Sequence, residues 1–226
     1  MSESILRTRH TARAFKNQEI NESLIREIIA DAQCAPSWCN SQPWKAYVVT
    51  GEAAKKIHES HRNNVMSNAR AWTEVVPPQF EADCWTKEEW QNMRGFWKAA
   101  DVSADPADGT EDKLGFMEAS TWNFYAPAIV YITIPKNATM FSAYDVGAFG
   151  YGVTLAAHER GISCIPAYEF IRYPQEIRPL FNIPEDEAIF MGIGMGYAQE
   201  DVELNRIHEL EVNPRAKTED ILKIVK

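Results

Sequence analysis

The stretch Ala128-Ile129-Val130-Tyr131-Ile132-Thr133-Ile134 is apolar or β-branched at every position. A strand with one wet face alternates apolar and polar side chains, so an unbroken run marks a strand covered on both faces. Ala188–Tyr197 is a second run of this kind, interrupted only by Gly192, Gly194 and Gly196. Covered strands need helices to cover them, and the chain supplies several. Ser4–Arg9 reads as a short helix. Asn21 caps a second, whose apolar positions Leu24, Ile25, Ile28, Ile29 and Ala32 follow the helical period. Glu52–Trp72 reads as a third. Ser142–Arg160 carries Val146, Phe149, Val153 and Ala156 or Ala157 on one face and ends at Gly161. Pro174 opens a helix to Phe181, and Thr218–Val225 reads as a final one. Shorter strands fall at Ala46–Thr50, closed by Gly51, and at Ile162–Ile165. Strands alternating with long helices give an α/β or α+β sandwich, most simply one domain with a tail.

With 226 residues, such a domain buries roughly 70% of its unfolded surface and needs no disulfide or metal staple. The 23 Lys and Arg against 32 Asp and Glu leave a net charge of −9, which argues against nucleic acid as a partner. No apolar stretch approaches the roughly 20 residues of a membrane span, and Met1–Arg7 lacks the pattern of a signal peptide. Cys34, Cys39, Cys84 and Cys164 form no C-x-x-C pair, so reduced thiols in a cytoplasmic protein and no metal site are expected. Residues 77–110 hold Trp85, Trp90 and Trp97 with a Pro106/Gly109 break and read as a lid-like insertion.

Two glycine clusters imitate nucleotide-binding motifs. Gly147, Gly150 and Gly152 lie within a helical stretch, not between a strand and a helix, so the context of a phosphate fingerprint is missing. Gly192, Gly194 and Gly196 alternate along a strand and clear one face for close packing. Neither a P-loop, nor G-x-S-x-G, nor H-E-x-x-H is present.

Three segments carry chemistry. Arg9-His10-Thr11-Ala12-Arg13-Ala14-Phe15 concentrates two arginines, a histidine and a hydroxyl in an acidic chain. Its forked donors suit a phosphate or the polar edge of a heterocycle, although composition alone fits a solvated helix end better. Ala35-Pro36-Ser37-Trp38-Cys39-Asn40-Ser41-Gln42-Pro43-Trp44 groups carboxamides, hydroxyls and indoles in one loop. Amides there match the imide edge of a flavin, and an ordinary helix-to-strand connection is the alternative. Ile165-Pro166-Ala167-Tyr168-Glu169-Phe170 is a strand end with backbone N–H groups to offer and rings to flank a flat ligand.

In this order, these segments resemble the nitroreductase family of FMN-dependent oxidoreductases. The resemblance also includes Asp145-Val146-Gly147-Ala148, Pro174-Gln175-Glu176-Ile177-Arg178, Phe181-Asn182-Ile183-Pro184-Glu185-Asp186, Gly192-Ile193-Gly194-Met195-Gly196-Tyr197 and Asn205-Arg206. It leaves about 62–123 unmatched. It implies an α+β fold with a central mixed β-sheet flanked by helices, in a single domain over 1–226. It also implies an intertwined homodimer whose C-terminal arm, 199–226, crosses to the partner. The polar composition of Gln199–Pro214 is compatible with such an arm.

By the same resemblance, Arg9 and Thr11 would grip the FMN phosphate or ribityl chain, His10 would support them, and Arg13 would sit toward ring N1 and the C2 carbonyl. Pro36, Ser37, Trp38, Asn40 and Gln42 would lie along the isoalloxazine. Pro166, Ala167, Tyr168 and Glu169 would form the turn offering an N–H to flavin N5. Arg206 and His208 would close the phosphate clamp, Glu211 standing where a cation is usual, and Trp38 stands where relatives often have a small residue. Trp38, Phe124 and Tyr168 are the expected aromatic contacts for substrate.

The implied activity passes a hydride from NADH or NADPH through flavin N5 to a flat electron-poor acceptor, such as a nitroaromatic or a quinone, with ping-pong kinetics and no catalytic side chain. Rivals are an ene-reductase or reductive dehalogenase on the same flavin, and a non-catalytic flavin-binding protein. A hydrolase using Cys39 or Cys164 with His158 or His10 is the remaining one.

Overall fold

The computed structural model describes residues 4–76, 115–206 and 215–226. In chain order it forms α1 (Ile5–Thr8), α2 (Glu22–Ala32), β1 (Lys45–Thr50), α3 (Gly51–Met66), α4 (Phe116–Thr121), β2 (Ala128–Pro135), α5 (Met140–Glu159), β3 (Ser163–Ala167), α6 (Pro174–Phe181), β4 (Glu187–Gly196) and α7 (Thr218–Ile221). Short 3-10 turns occupy Trp38–Asn40, Asn123–Tyr125, Tyr168–Ile171 and Glu203–Asn205.

The four strands form one sheet in the order β1-β2-β4-β3. The two unbroken apolar runs are therefore its two inner strands. β2 is buried at every position from Ala128 to Ile134, and its pleat divides the chain's core in two. Val130, Ile132 and Ile134 face α2 and α5 with Ile28, Val146, Phe149 and Val153. Ile129 and Tyr131 face the opposite layer, with Ile57, Phe116, Phe170 and Ile177. A register shift between Ile132 and Thr133 leaves two residues of β4 opposite one of β2, a bulge that bends the pair.

Several expectations need correcting. Among the described residues the sheet is antiparallel in all three strand pairings, with one parallel bridge, Thr11 to Cys164, beside β3. The helix expected over 52–72 stops at Met66, where Ser67 leaves helical geometry and Asn68 takes φ +52, a conformation that asparagine tolerates. The helix expected over 218–225 is a single turn, because it buries no residue and an isolated short helix is marginal. Residues 77–110, with their three tryptophans, lie outside the described residues.

The glycine clusters serve close packing, as expected, at every position but Gly147. A Cβ on Gly150 would meet Ile132, and one on Gly152 would meet the Ala32 backbone, each at 3.3 Å, whereas Gly147 faces open space. On β4 the cleared face is filled by two phenylalanines. The Phe170 side chain lies against Gly192 and Gly194, and Phe15 against Gly196, so close that a Cβ on Gly194 would sit 2.6 Å from Phe170 Cζ.

His58 on α3 is buried, and its Nε2 lies 3.1 Å from the Ala126 carbonyl. A carbonyl only accepts, so Nε2 carries the proton in this contact. Burial pushes the imidazole down to about 4, against a rise from the Ala126 bond and with a further push down from His61. An unfolded chain's histidine titrates near pH 6.5, so between about 6.5 and 4 the unfolded state holds a proton that the folded state refuses. Stability from this residue is complete above that window and falls as pH drops through it. Thermal unfolding from about pH 7 down to about pH 4.5 should show a falling midpoint that His58→Gln partly flattens. An unchanged slope in the variant contradicts this assignment.

Candidate functional site

The first segment is extended chain, not a solvated helix end. α1 stops at Thr8, and the following residues lie along β3: Ala12 donates its N–H to the Cys164 carbonyl at 3.2 Å. Farther on, Lys16 donates to the Tyr197 carbonyl at 2.8 Å, and Phe15 bridges Ala198. The buried Asn205 side chain closes the other edge. Its Oδ1 accepts from the N–H groups of Arg13 and Ala14, and its Nδ2 donates to the carbonyls of Ala14 and Gln199. Ala12 and Ala14 point into the core, so the alternation of an extended chain places Thr11 and Arg13 on the other face.

Both arginines are half-buried. Burial lowers Arg13 to about 10, which still leaves it a cation at neutral pH. The Arg9 guanidinium lies 6.0 Å from the centroid of the Tyr151 ring on α5, and its Nε is buried without a hydrogen-bond partner among the described residues. A buried donor left unpaired is costly, so the position is suited to an acceptor supplied from outside the chain. His10 places Nδ1 3.4 Å from the Thr8 carbonyl, and the Thr8 hydroxyl reaches His158 Nε2 at 3.1 Å.

The second segment is a loop fastened to α5. Trp38 donates its N–H to Asp145 Oδ2 at 2.9 Å, and Asp145 is itself buried. Gln42 donates its N–H to Ser37 Oγ at 3.0 Å. Trp44 stacks on Phe149 with centroids 5.0 Å apart. Between these anchors Cys39, Asn40 and Gln42 all have positive φ, strain that persists only where surroundings over-determine it. The loop presents Pro36, Asn40 and Gln42 to solvent, with Trp38 67% exposed. Asp145 and Tyr151 are six residues apart, so the anchor points of loop and Arg9 lie about 9 Å apart along α5.

The third segment leaves β3 at Ala167 and enters the turn Tyr168–Ile171. The first N–H groups of a helical turn have no carbonyl of their own turn to bond, and those of Tyr168 and Glu169 stand at this position. Phe170 and Ile171 are buried beneath them. Arg172 donates through Nη1 to Glu169 Oε1 at 2.5 Å, and His61 Nε2 stands 3.2 Å from the same oxygen. For Arg172, burial opposes its charge, while the bond and charge of Glu169 outweigh burial and raise it. Pro166, Ala167 and Tyr168 border a cavity of about 1080 Å³ with Met140, Ala143 and Phe190.

The bridge between Thr11 and Cys164 therefore joins the first segment to the third, and α5 carries the second. The residues of the first two segments do not line the cavity that the third one borders. Phe124 is 2% exposed and packs with centroids 5.9 Å from both Phe116 and Phe170, at the wall of a separate cavity lined by Ala14, His58 and Pro127. Burial pushes the Cys164 thiol up to about 12, which keeps it from serving as the nucleophile of a hydrolase. Arg206 is exposed, and His208 lies outside the described residues. Sequence reading missed Asp145 and Asn205 as anchors and His61 and Arg172 as partners of Glu169. An aspartate within an apolar helix was a visible signal for the first, whereas the others depend on contacts distant in sequence.

An extended chain bearing two cations thus lies beside a strand that ends in a helical turn, on an α+β scaffold. The nitroreductase family model matches residues 6–197. The chain belongs to the nitroreductase family. It is 26% identical over 211 residues to the nitrobenzene nitroreductase of Ectopseudomonas oleovorans, covering 91% of this chain and 90% of that one. It is 27% identical over 210 residues to a 4-nitrobenzoate reductase of Pseudomonas putida, covering 91% and 88%. Among solved structures, the FMN-dependent nitroreductase NfnB of Mycobacterium smegmatis in complex with NADPH superimposes with a TM-score of 0.81 at 22% identity, over 98% of this chain and 96% of that one.

Asn205→Ala would leave several buried backbone groups unpaired, each costing about 1–3 kcal/mol. A loss of about 3 kcal/mol in chemical denaturation is expected, with faster amide exchange at Arg13 and Ala14. Unchanged exchange at those two amides contradicts the anchoring role.

Proposed function

We propose that the chain is an FMN-dependent oxidoreductase that uses NADPH or NADH to reduce a flat electron-poor acceptor, a nitroaromatic or a quinone. The observation that carries this reading is the extended Arg9–Arg13 segment hydrogen-bonded to β3, directly upstream of the turn at Pro166–Glu169. The donor set fits the cofactor. Arg9, with a buried donor unpaired, and Thr11 suit the phosphate and ribityl end, with His10 in support. Arg13 is a half-buried cation suited to the ring edge where negative charge collects on reduction. Pro36, Ser37, Trp38, Asn40 and Gln42 offer a rigid loop to the ring, and Pro166–Glu169 a backbone donor. When bound, FMN supplies the hydride chemistry, taking a hydride from the nicotinamide and giving it to the acceptor. Trp38 and Tyr168 offer faces to an aromatic acceptor, and two relatives are named for nitrobenzene and 4-nitrobenzoate, acceptors of this kind.

The working form in this reading is a homodimer. Met140, Tyr144 and Tyr151 share one face of α5 with Gly147, and Met140 and Tyr144 are 85% and 78% exposed. Ile221, Leu222, Ile224 and Val225 near the C-terminus are exposed as well. Among the described residues β1 is an edge strand, and beside it Ile20, Ile25, Ile29, Ala46 and Val48 line a groove of about 510 Å³. A second copy, with its C-terminal arm crossing over, would cover these apolar surfaces and bring a second set of segments to the incomplete site.

Protein purified and reconstituted with FMN is expected to elute yellow, to bleach with NADPH under anaerobic conditions and to recolour with a nitroaromatic. Arg9→Ala and Arg13→Ala should each weaken FMN binding about tenfold or more, as loss of a charge-assisted bond does. A colourless protein after reconstitution contradicts the reading. Sedimentation equilibrium should give twice 25.7 kDa, and Tyr144→Glu should shift the mass toward the single chain. A single-chain mass for the unaltered protein contradicts the dimer.

A further inference from the structure

Glu169 is the one acidic residue of the turn Tyr168–Ile171. Its carboxylate is largely withdrawn from water and meets two basic groups at a single oxygen, the Arg172 guanidinium and the His61 ring. His61 is fixed in turn: it is buried, its Nδ1 lies 2.9 Å from the Thr121 carbonyl, and its ring meets Tyr173 edge-on at 5.4 Å. The Thr121 carbonyl accepts from Nδ1–H, so in a neutral ring Nε2 bears no proton and an attractive contact with Glu169 needs one further proton on the pair. Arg172 is held by its own surroundings, with its carbonyl accepting from Trp72 N–H at 3.1 Å and its guanidinium 5.2 Å from the Tyr173 ring.

An unmatched carboxylate at this turn would oppose the negative charge that a flavin gains on reduction, since a low-dielectric site transmits such charges with little screening. Matched by Arg172 alone it contributes almost no net field, and with the further proton the unit carries one net positive charge. We propose that Glu169, Arg172 and His61 form a charge-compensated unit that sets the electron affinity of the bound flavin, an inference that rests on the function proposed above. These are positioning residues. Arg172 and His61 act through Glu169, and the unit works by the balance of its charges, not by touching substrate.

Opposite signs separate this role from a merely structural one. The midpoint potential of the FMN-loaded protein, titrated by spectroelectrochemistry, should rise in Glu169→Gln, because the carboxylate is gone. It should fall in Arg172→Gln, because the carboxylate is left unmatched. The expected size is about tenfold in the ratio of reduced to oxidised flavin at fixed potential, or about 30 mV for a two-electron couple. Arg172→Lys keeps the charge and should stay near the parent value. His61→Asn keeps a donor for Thr121 and loses the contact with Glu169, and should shift in the direction of Arg172→Gln. This variant also serves if Arg172→Gln does not fold. Shifts of the same sign in Glu169→Gln and the cation variants, or none in any FMN-loaded variant, overturn the inference while leaving the proposed function intact. Failure of the unaltered protein to take up FMN overturns both.

Discussion

Gly192, Gly194 and Gly196 leave one face of β4 without side chains, and two phenylalanines lie in the space this opens. Phe170 belongs to the turn after β3, and Phe15 ends the extended segment that carries the arginines. A single bare stripe on an inner strand thus seats both halves of the candidate site against the sheet. Backbone pairing along β3 and the four bonds of Asn205 then hold the arginine segment in register. Nearly every residue beneath these contacts is buried, so the site rests on packed structure rather than on free loops. Interiors packed at crystal-like density give such a platform little freedom to move.

The electrostatics follow from that seating. The chain is acidic overall, yet Arg9 and Arg13 sit half-buried on one short strand, and burial alone lowers Arg13. Two other buried carboxylates have opposite charges beside them: Glu187 receives bonds from Lys45, Tyr47 and Thr133, and Glu74 holds Arg178. Glu169 belongs with these matched charges, but it lies in the turn that the proposed function assigns to the flavin. In that proposal its compensation by Arg172 and His61 bears on chemistry as well as on folding.

Much of the scaffold was legible in the chain because local rules decided it. Asn21 caps α2 through the Ser23 N–H, Pro174 opens α6, and the continuous run at Ala128–Ile134 is the buried inner strand. The errors arose where distant contacts or their absence decided. The third helix ends early at Asn68 because a left-handed residue breaks it, and the tail helix shrinks because nothing packs on it. The arginine segment looked like a helix end by composition, and only its pairing with Cys164, 153 residues away between Thr11 and that position, draws it into the site. No periodicity encodes such a pairing, and family resemblance was the only guide to it.

The central claim is that the arginine segment and the turn after β3 form the two sides of one flavin cradle. Amide NMR of the isotope-labelled protein, recorded during titration with FMN, tests it most directly. The account predicts saturable shifts concentrated at Arg9–Arg13 and Ala167–Glu169, with the amides of β2 little changed. Saturable binding that leaves both of those segments unshifted would contradict it.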